Sequence, residues 1–333
     1  MHHQFTRRQG IHAAGLLLAA ALATTSSIWS GSAIAQGAYP AGRVVTIITP
    51  FGSSTEIFAR IVAEHLTKRL GGTFIVEQKL GAGGTIGTAY LSKQKPDGYT
   101  LGIGLNSTLS VAPHIYKRIN YEPRELTYLA GLMTAQSVLL AAPNLGVKSP
   151  QDLVELSKKR SLNYGSPGVG SSMHLGVEQF TSAARITKAV HVPFKTTETL
   201  ATALMAGDID YYMSVTSVSK ELVKAGKFHA VAVSGQTRNP DLPDVPTFGE
   251  VGLGSIDLDL LYGVIAPPGL PREITDRLVS TLQAIAADSE FRAAILRTGN
   301  FPVSLMGERF KKAIIEDISR QGQVVKGIGI EPQ

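Results

Sequence analysis

The stretch Asn163–Leu175, which reads NYGSPGVGSSMHL, has the pattern of a strand end, a glycine-rich loop and the first turn of a helix. Apolar residues continue at helical spacing from Met173 to Phe180, and Ser171 and Ser172 stand where an N-cap accepts backbone N–H groups. The first turn of a helix has unpaired N–H donors and the positive end of the helix dipole, so it attracts anions. No lysine follows where a phosphate loop requires one. Taken alone, the stretch is better explained as a plain glycine-rich turn.

A second segment of the same kind lies near the start of the chain. Val44–Thr49 is β-branched throughout, as expected for a buried parallel strand. Pro50–Thr55 ends this strand with small hydroxyl residues and opens a helix whose apolar face carries Ile57, Ile61 and Leu66. This helix start is as suitable for an anion as the first one.

Strands alternate with helices along the chain, so the sequence predicts an α/β protein with mainly parallel sheets. Strand-like segments at Val138–Ala142 and Leu260–Ile265 divide it into a discontinuous first lobe, residues 36–137 and 261–333, and an inserted second lobe, residues 138–260. Open α/β sheets bind ligands at the carboxyl ends of their strands. We therefore expect both serine-rich helix starts to face one cleft between the lobes.

The first 35 residues have the features of an export signal. A pair of arginines, Arg7-Arg8, precedes an apolar run, Ala13–Ala23, and a small-residue cleavage signal, Ala33–Ala35. The arginine pair fits a twin-arginine signal, whereas an ordinary secretory signal also begins with positive charge, so both routes stay open. The run is too short to span a membrane, and no later segment is long and apolar enough. We predict a signal peptide over residues 1–35 and a periplasmic mature protein.

The composition agrees with an exported protein that binds a small anion. The chain has no cysteine, so its core must be stable without disulfides and it has no site for a lipid anchor. The net charge of +6 at pH 7 suits an anionic ligand, but it is too diffuse to indicate nucleic acid binding.

Small polar residues cluster where the predicted strands end. Each is an ordinary capping residue by itself, and their shared location makes them candidate ligand contacts: Ser53, Ser54, Thr55, Asn106, Ser107, Ser171 and Ser172. Tyr211, Tyr212 and Tyr262 fit the core and the cleft equally well, and one in the cleft could stack on an aromatic or amide ligand.

The motifs that would indicate catalysis, a metal or a cofactor are incomplete. Gly81–Gly87, GAGGTIG, resembles a dinucleotide fingerprint, but Ile86 stands where a glycine is needed, and a tight packing turn is the better explanation. His174 and His191 have no partner at a metal-ligand spacing, so a structural hydrogen-bonding role is favoured for each. Ser166 is not in a nucleophile elbow. We therefore predict neither an enzyme nor a bound cofactor or metal.

Six phrases in the chain together resemble the Bug-type solute receptors of tripartite tricarboxylate transporters. Each is weak by itself, but all six occur in the right order and span nearly the whole mature chain: GAGGTIG at Gly81–Gly87, PDGYTL at Pro96–Leu101, YGSPGVGSSMHL at Tyr164–Leu175, HVPFK at His191–Lys195, LPDVPTFGEVGL at Leu242–Leu253 and YGVIAPPGLP at Tyr262–Pro271. The resemblance implies a type II periplasmic-binding-protein fold, with two α/β lobes that close on a small carboxylate.

The resemblance also implies which loops bind the ligand. In the family, two loops grip one carboxylate through backbone N–H groups and bridging water, and they match Pro50–Thr55 and Ser166–Ser172 here. With these loops and their neighbours, the resemblance adds further candidate contacts: Phe51, Gly52, Ser166, Gly168, Gly170, His174, Thr196 and Ser214.

The chain departs from the family pattern at four places. The first loop, Pro50–Ser53, lacks the paired prolines of P-F-x-P-G-G and is two residues shorter, and Glu56 replaces a common Asp. Thr196 replaces the glycine that usually follows HVPFK, and Ser214 stands where many members carry an acidic group. These departures bear on the identity of the ligand and on the water-bridged grip in the first lobe, and not on the fold.

The prediction is a monomeric periplasmic receptor that binds a small carboxylate and delivers it to the permease subunits of a tripartite tricarboxylate-type transporter. Two other functions fit the same residues. A receptor of this fold could instead report its ligand to a sensor kinase, or the chain could be an exported enzyme with a cofactor at Gly81–Gly87.

Overall fold

The strands of the protein form two separate sheets. The computed structural model describes residues 39–169, 171–194, 197–254, 256 and 258–332, so the predicted signal peptide and the candidate contacts Gly170 and Thr196 lie outside the described residues. A six-stranded sheet contains β1 (Val44–Thr49), β2 (Thr73–Gln78), β3 (Thr100–Leu105), β4 (Thr127–Ala135), β10 (Leu260–Ala266) and β11 (Phe301–Met306), in the order β11-β4-β10-β3-β1-β2.

The second sheet lies between β4 and β10 in the sequence. It contains β5 (Ser137–Ala141), β6 (Leu162–Ser166), β7 (Ala189–Pro193), β8 (Tyr211–Val215) and β9 (His229–Val233), in the order β7-β6-β8-β5-β9. The chain passes from one sheet to the other at Gln136, between β4 and β5. Each sheet is the centre of one lobe, and the two are named here the six-stranded lobe and the five-stranded lobe.

The expectation of mainly parallel sheets is wrong, because both sheets are mixed. β1 is parallel to β2 and β3, and β6 is parallel to β7 and β8. β10 and β11, however, are antiparallel to their neighbours, and so is β5. A strand that enters a lobe at the cleft must run away from the cleft, whereas β6 and β8 end at it. The connection between two lobes therefore requires antiparallel strands.

Helices cover both faces of the sheets. They are α1 (Ser54–Leu70), α2 (Thr85–Ser92), α3 (Ala112–Ile115), α4 (Pro150–Lys159), α5 (Ser172–Ala183), α6 (Thr197–Ala206), α7 (Thr216–Lys224), α8 (Arg272–Ala287), α9 (Ser289–Arg297) and α10 (Glu308–Gly327). Short 3₁₀ turns occupy Ala82–Gly84, Pro123–Glu125 and Pro143–Leu145, and a π-helical turn occupies Ser107–Val111. Within the described part of the chain, no helix has the length and apolar character needed to cross a membrane.

The larger core of the six-stranded lobe lies between the sheet and helices α1, α8 and α9, and a second apolar cluster contains Phe310, Ile314 and Ile318 of α10. In α1 the residues turned to this core are Phe58, Val62 and Leu66. The apolar face predicted from the sequence is correct for Leu66 and for Ile61, which packs against this core, but wrong for Ile57, which is 51% exposed. Which apolar residues of the helix are buried depends on where the sheet lies, and the spacing of apolar residues along the helix does not show this.

Candidate ligand-binding cleft

A cavity of about 270 Å³ lies between the two lobes. Its wall combines hydroxyl-bearing residues at strand ends and helix starts with apolar side chains from both lobes. Nine residues that were predicted as ligand contacts lie on this wall: Phe51, Gly52, Ser53, Ser54, Thr55, Ser107, Ser171, Ser172 and Ser214. The two sheets thus bring together segments that are far apart in sequence.

The start of α1 forms the wall on the six-stranded lobe. Ser53 is its N-cap with φ 52° and ψ −125°, and no side chain in the described residues caps the helix. The Thr49 hydroxyl donates to the carbonyl oxygen of Phe51 at 2.6 Å, which fixes the turn that leads into the helix. Because first-turn N–H groups have no partner within the helix itself, an uncapped start can offer donors to an anion in the cavity.

The acidic residue in the first turn of α1 is neutralised by its neighbours. Glu56 forms an ion pair with Arg60 at 2.5 Å, one turn further along the helix. Gln78, at the end of β2, donates a second hydrogen bond to the other carboxylate oxygen of Glu56. The negative charge of Glu56 therefore opposes the positive end of the helix less than its position suggests.

Phe51 is held by a glycine of the GAGGTIG segment. A Cβ atom on Gly84 would lie 2.6 Å from the ring of Phe51 and 2.7 Å from the Thr108 side chain. Gly84 also has φ 85°, a conformation that side chains disfavour. These contacts are those of a packing turn that seats the Phe51 ring in the wall of the cavity, and Gly83 of the same turn lines the cavity directly.

The start of α5 forms the opposite wall, and it is capped. Ser171 is the N-cap, and its hydroxyl oxygen accepts a hydrogen bond from the backbone N–H of His174 at 3.1 Å. The hydroxyls of Ser166 and Ser171 both donate to the carbonyl oxygen of Gly168, at 3.0 and 2.9 Å. Gly168 has φ 115°, which only glycine adopts readily, so this residue is suited to the bend of the loop.

Two of the predicted tyrosines line the cavity. Tyr212 and Tyr262 border it although both are almost fully buried, whereas Tyr211 packs edge-on against Phe180 in the core of the five-stranded lobe. Burial raises the pKa of Tyr262 above its ordinary value, and hydrogen bonds with Ser54 and Thr55 oppose this rise. The phenol of Tyr262 is therefore a neutral group beside the start of α1.

Four predicted contacts do not line the cavity. Ser166 is fully buried behind the loop, and Gly168 turns its carbonyl group toward Ser166. His174 is 5% exposed and stacks on His191, with 4.1 Å between the ring centres. Asn106 donates to the carbonyl oxygen of Asp259 at 3.0 Å and borders a smaller cavity of about 20 Å³ instead. A strand-end position thus does not by itself turn a side chain toward the cleft.

The cavity also has wall residues that the sequence did not indicate. Most are apolar side chains on strands or helix faces that only the packing of the two lobes turns toward each other: Leu105, Met173, Leu200, Met213, Val215, Val218 and Leu260. Met173 and Met213 lie beside predicted contacts and could have been found for that reason, whereas Val218 and Leu260 have no local signal. Thr197 and Glu198, in the first turn of α6, complete this side of the wall together with Pro167.

The arrangement can hold an anionic group and bury an apolar one. Hydroxyls and helix starts supply hydrogen-bond donors from both lobes, and the apolar side chains can cover a hydrocarbon body. Among the described residues, no group of three or more histidine, cysteine or acidic side chains is placed to hold a metal ion.

Known proteins match the chain along most of its length. Residues 58–330 match the family described as "Tripartite tricarboxylate transporter family receptor". Protein BugT of Bordetella pertussis is 28% identical over 303 residues, which cover 89% of this chain and 92% of BugT.

Two similar solved structures contain carboxylates. Rpa4515 of R. palustris, described with adipate, is 28% identical with a TM-score of 0.81, and the match covers 89% of this chain and 100% of that chain. MatC from Rhodopseudomonas palustris, with bound malate, is 27% identical with a TM-score of 0.74, covering 85% of this chain and 99% of that chain.

The same fold occurs in the periplasmic binding protein BugD, which is 28% identical with a TM-score of 0.78, covering 87% of this chain and 99% of that chain. Two α/β lobes around a cleft, shared with these structures, define a periplasmic binding protein, and the predicted fold class is confirmed. The class is that of receptors that hold a solute between two lobes. Within it, the chain belongs to the tripartite tricarboxylate transporter receptor family and is a Bug-type solute receptor. Because the proteins of this family bind solutes and are not enzymes, the prediction that the chain is not an enzyme is also confirmed.

Proposed function

We propose that the protein binds a small carboxylate in the interlobe cavity and delivers it to the permease of a tripartite tricarboxylate-type transporter. One observation carries the proposal: the starts of α1 and α5, on opposite lobes, line the same cavity. Each start combines the positive end of a helix with hydroxyl groups, and together they suit one anionic group. The adipate and the malate described with two similar structures support a carboxylate as the anion.

Binding would follow from donors that are already in position. A carboxylate between the two helix starts would accept hydrogen bonds from backbone N–H groups and from wall hydroxyls such as those of Ser53, Ser107 and Ser172. Bridging water would fill the space left by the shortened first loop. Each lobe supplies only part of the donor set, so the ligand stabilises the closed arrangement of the lobes.

We also propose that the two lobes have the boundaries expected from the sequence. Residues 138–260 form the inserted lobe, and residues 36–137 and 261–333 form the other. Sheet membership supports this division to within one residue at each boundary, since β5 of the five-stranded lobe begins at Ser137 and β10 of the six-stranded lobe begins at Leu260.

Export by the N-terminal segment and a monomeric state belong to the same proposal. The pair Arg7-Arg8 supports the twin-arginine route, and Ala33–Ala35 supports cleavage after residue 35. The intact mass of protein recovered from the periplasm of an expression host tests the cleavage site. Light scattering of the same sample tests the monomeric state.

A thermal-shift screen of the periplasmic protein against mono-, di- and tricarboxylates, amino acids and neutral amides tests the function. An external dye is needed, because the single tryptophan of the sequence, Trp29, lies within the predicted signal peptide. A ligand at 100 times its dissociation constant adds about 2.7 kcal/mol of stability, which is a shift of a few degrees at this size. Shifts confined to carboxylates support the proposal. Equal shifts with the matched neutral amides contradict it. So does the absence of a shift with every carboxylate, once any ligand retained from the host has been extracted.

A further inference from the structure

Ser166 lies at the centre of a chain of hydrogen bonds that starts at His191. The hydroxyl oxygen of Ser166 is 3.0 Å from the carbonyl oxygen of Gly168 and 2.7 Å from Nε2 of His191. A carbonyl oxygen can only accept, and a hydroxyl has one proton, so Ser166 donates to Gly168. Ser166 must then accept a hydrogen bond from His191, whose imidazole therefore carries its proton on Nε2.

The same carbonyl group is held from the other side. The Ser171 hydroxyl donates to the carbonyl oxygen of Gly168 at 2.9 Å and accepts from the backbone N–H of His174 at 3.1 Å. The loop is thus fixed at Gly168 between β7, which carries His191, and the first turn of α5. Pro167, Ser171 and Ser172 of this loop line the cavity. The hydrogen bonds that hold Gly168 therefore also position part of the cavity wall.

Aromatic stacking holds His191 in the orientation that this chain requires. Its ring lies on that of His174 at 4.1 Å between centres and on that of Tyr164 at 5.0 Å. The Tyr164 hydroxyl hydrogen-bonds Glu178 and lies 3.3 Å from Nε2 of His174. Two imidazoles stacked this closely repel each other when both carry a charge, so the stack favours neutral rings.

Three other titratable side chains surround the two imidazole rings. Tyr164 faces them from β6, Glu178 from the next turn of α5, and Tyr211 from β8, with its ring 5.8 Å from that of Tyr164. Burial lowers the pKa of His174 to about 4. Burial, together with the neighbouring His174, lowers the pKa of His191 to about 4, although Glu178 opposes this shift. Both rings are therefore neutral at neutral pH.

We propose that His191 is a positioning residue, which acts through Ser166 and Gly168 to hold the loop segments Ser166–Val169 and Ser171–Ser172 in the conformation that forms the cavity wall. The role of this loop in ligand binding rests on the proposed function, whereas the hydrogen-bond chain does not. His191 does not touch the ligand in this proposal.

The tautomer of His191 gives a direct spectroscopic test. A long-range ¹H–¹⁵N correlation spectrum of the purified protein at pH 7.5 should show His191 as a neutral imidazole with its proton on Nε2, assigned with the variant His191→Gln. A neutral ring with its proton on Nδ1 overturns the proposal, because Ser166 could then not accept from Nε2 while it donates to Gly168.

Hydrogen exchange without any ligand gives the second test. His191→Ala should speed exchange in the peptide Ser166–Met173 by about tenfold, the effect of losing one buried hydrogen bond. His191→Gln should restore slow exchange, because its side-chain amide can donate to Ser166. His229→Gln is the matched control, because His229 lies in the same lobe but hydrogen-bonds the carbonyl oxygen of Val147 and is not part of the chain that holds the loop. It should leave the exchange rate of the peptide Ser166–Met173 unchanged.

A second variant separates a positioning role from loss of the ring stack. Ser166→Ala keeps all three rings but removes the hydroxyl, and it should speed exchange as much as His191→Ala does. The double variant should be no faster than either single one. Additive effects, unchanged exchange in His191→Ala, or failure of His191→Gln to restore slow exchange would each overturn the proposal. None of these results bears on whether the protein binds carboxylates, which the thermal-shift screen decides separately.

Discussion

The two helix starts that meet in the cavity are built in opposite ways. The start of α5 is capped by Ser171, and its loop is held by hydrogen bonds that begin at His191. The start of α1 has no side-chain cap in the described residues, and its N-cap, Ser53, has a positive φ of 52°. The start of α5 is held by a chain of side-chain hydrogen bonds behind its loop, whereas the start of α1 combines a strained N-cap with the packing of Phe51 and one hydrogen bond from Thr49.

This difference predicts that the two walls respond differently to substitution. Side-chain deletions behind α5 remove specific hydrogen bonds and should act on the loop through them. Near α1 the backbone conformation itself holds the wall, so substitutions that change allowed φ values or packing should have the larger effect. The following predictions, ordered from the largest expected effect to the smallest, test this contrast.

Gly84→Ala should destabilise the protein by about 3 kcal/mol and weaken carboxylate binding. The new Cβ would meet the Phe51 ring at 2.6 Å, at a backbone φ of 85° that alanine disfavours. Gly269→Ala is the matched control, because φ is 80° there and no atom lies within 4 Å of the new Cβ. It should cost only about 1 kcal/mol and leave binding unchanged. Equal losses in urea unfolding of the two variants would show that Phe51 is not held by Gly84.

Acid should destabilise the five-stranded lobe through His174. Its pKa is about 4 in the folded protein and about 6.5 when exposed, so the unfolded chain binds the proton first as the pH falls. The stability gained from the neutral ring is complete above about pH 6.5 and is lost as the pH falls toward 4.

Urea unfolding at pH 7.5 and pH 4.5 checks this. Between pH 7.5 and pH 4.5, the free energy of unfolding of the wild type should fall by about 2 kcal/mol more than that of His174→Gln, which has no titrating ring at this position. The same loss in both proteins would show that the acid sensitivity has another source.

Ser171→Ala should cost about 1 kcal/mol of stability, the usual effect of losing an N-cap, and should also weaken carboxylate binding. Ser149→Ala is the matched control, since Ser149 caps α4 through a complete capping box outside the cavity. Both variants should lose similar stability in urea unfolding, but only Ser171→Ala should raise the dissociation constant measured by calorimetry. A loss of affinity in both would mean that stability alone controls binding.

Ser53→Gly should raise the free energy of unfolding by up to about 1 kcal/mol, because glycine adopts the positive φ without strain. Ser54→Gly, at the first residue of the helix, is the control and should destabilise by about 1 kcal/mol, because it lowers helix propensity and also removes the hydrogen bond with Tyr262. If Ser53→Gly were the more destabilising of the two, the backbone of Ser53 would not be strained, and the contrast between the two helix starts would fail.

Much of the site could be predicted from local sequence. Ser53–Thr55 and Ser171–Ser172 follow predicted strands as capping residues, and this pattern predicts that both groups face one cleft, as they do from its opposite walls. Val218 and Leu260 could not be found in this way, because only the packing of the two lobes turns them toward the cavity.

Features of the fold that depend on distant segments could not be predicted from the sequence, for the same reason. β11 was not predicted, since it contains Pro302 and pairs with β4 through a register shift. The hydrogen bond from His191 to Ser166 joins residues 25 positions apart on neighbouring strands, and each residue looks ordinary in its own segment. Pairings between distant segments depend on tertiary contacts that no local pattern contains.

The crystal structure of the protein with its best carboxylate from the thermal-shift screen tests the central claim most directly. One carboxylate group should lie between the starts of α1 and α5, with its oxygens about 3 Å from backbone nitrogens, or from waters bound to them, in both lobes. A carboxylate held by a single lobe, or bound away from Ser53–Thr55 and Ser171–Met173, would contradict the claim that the two helix starts form one anion site.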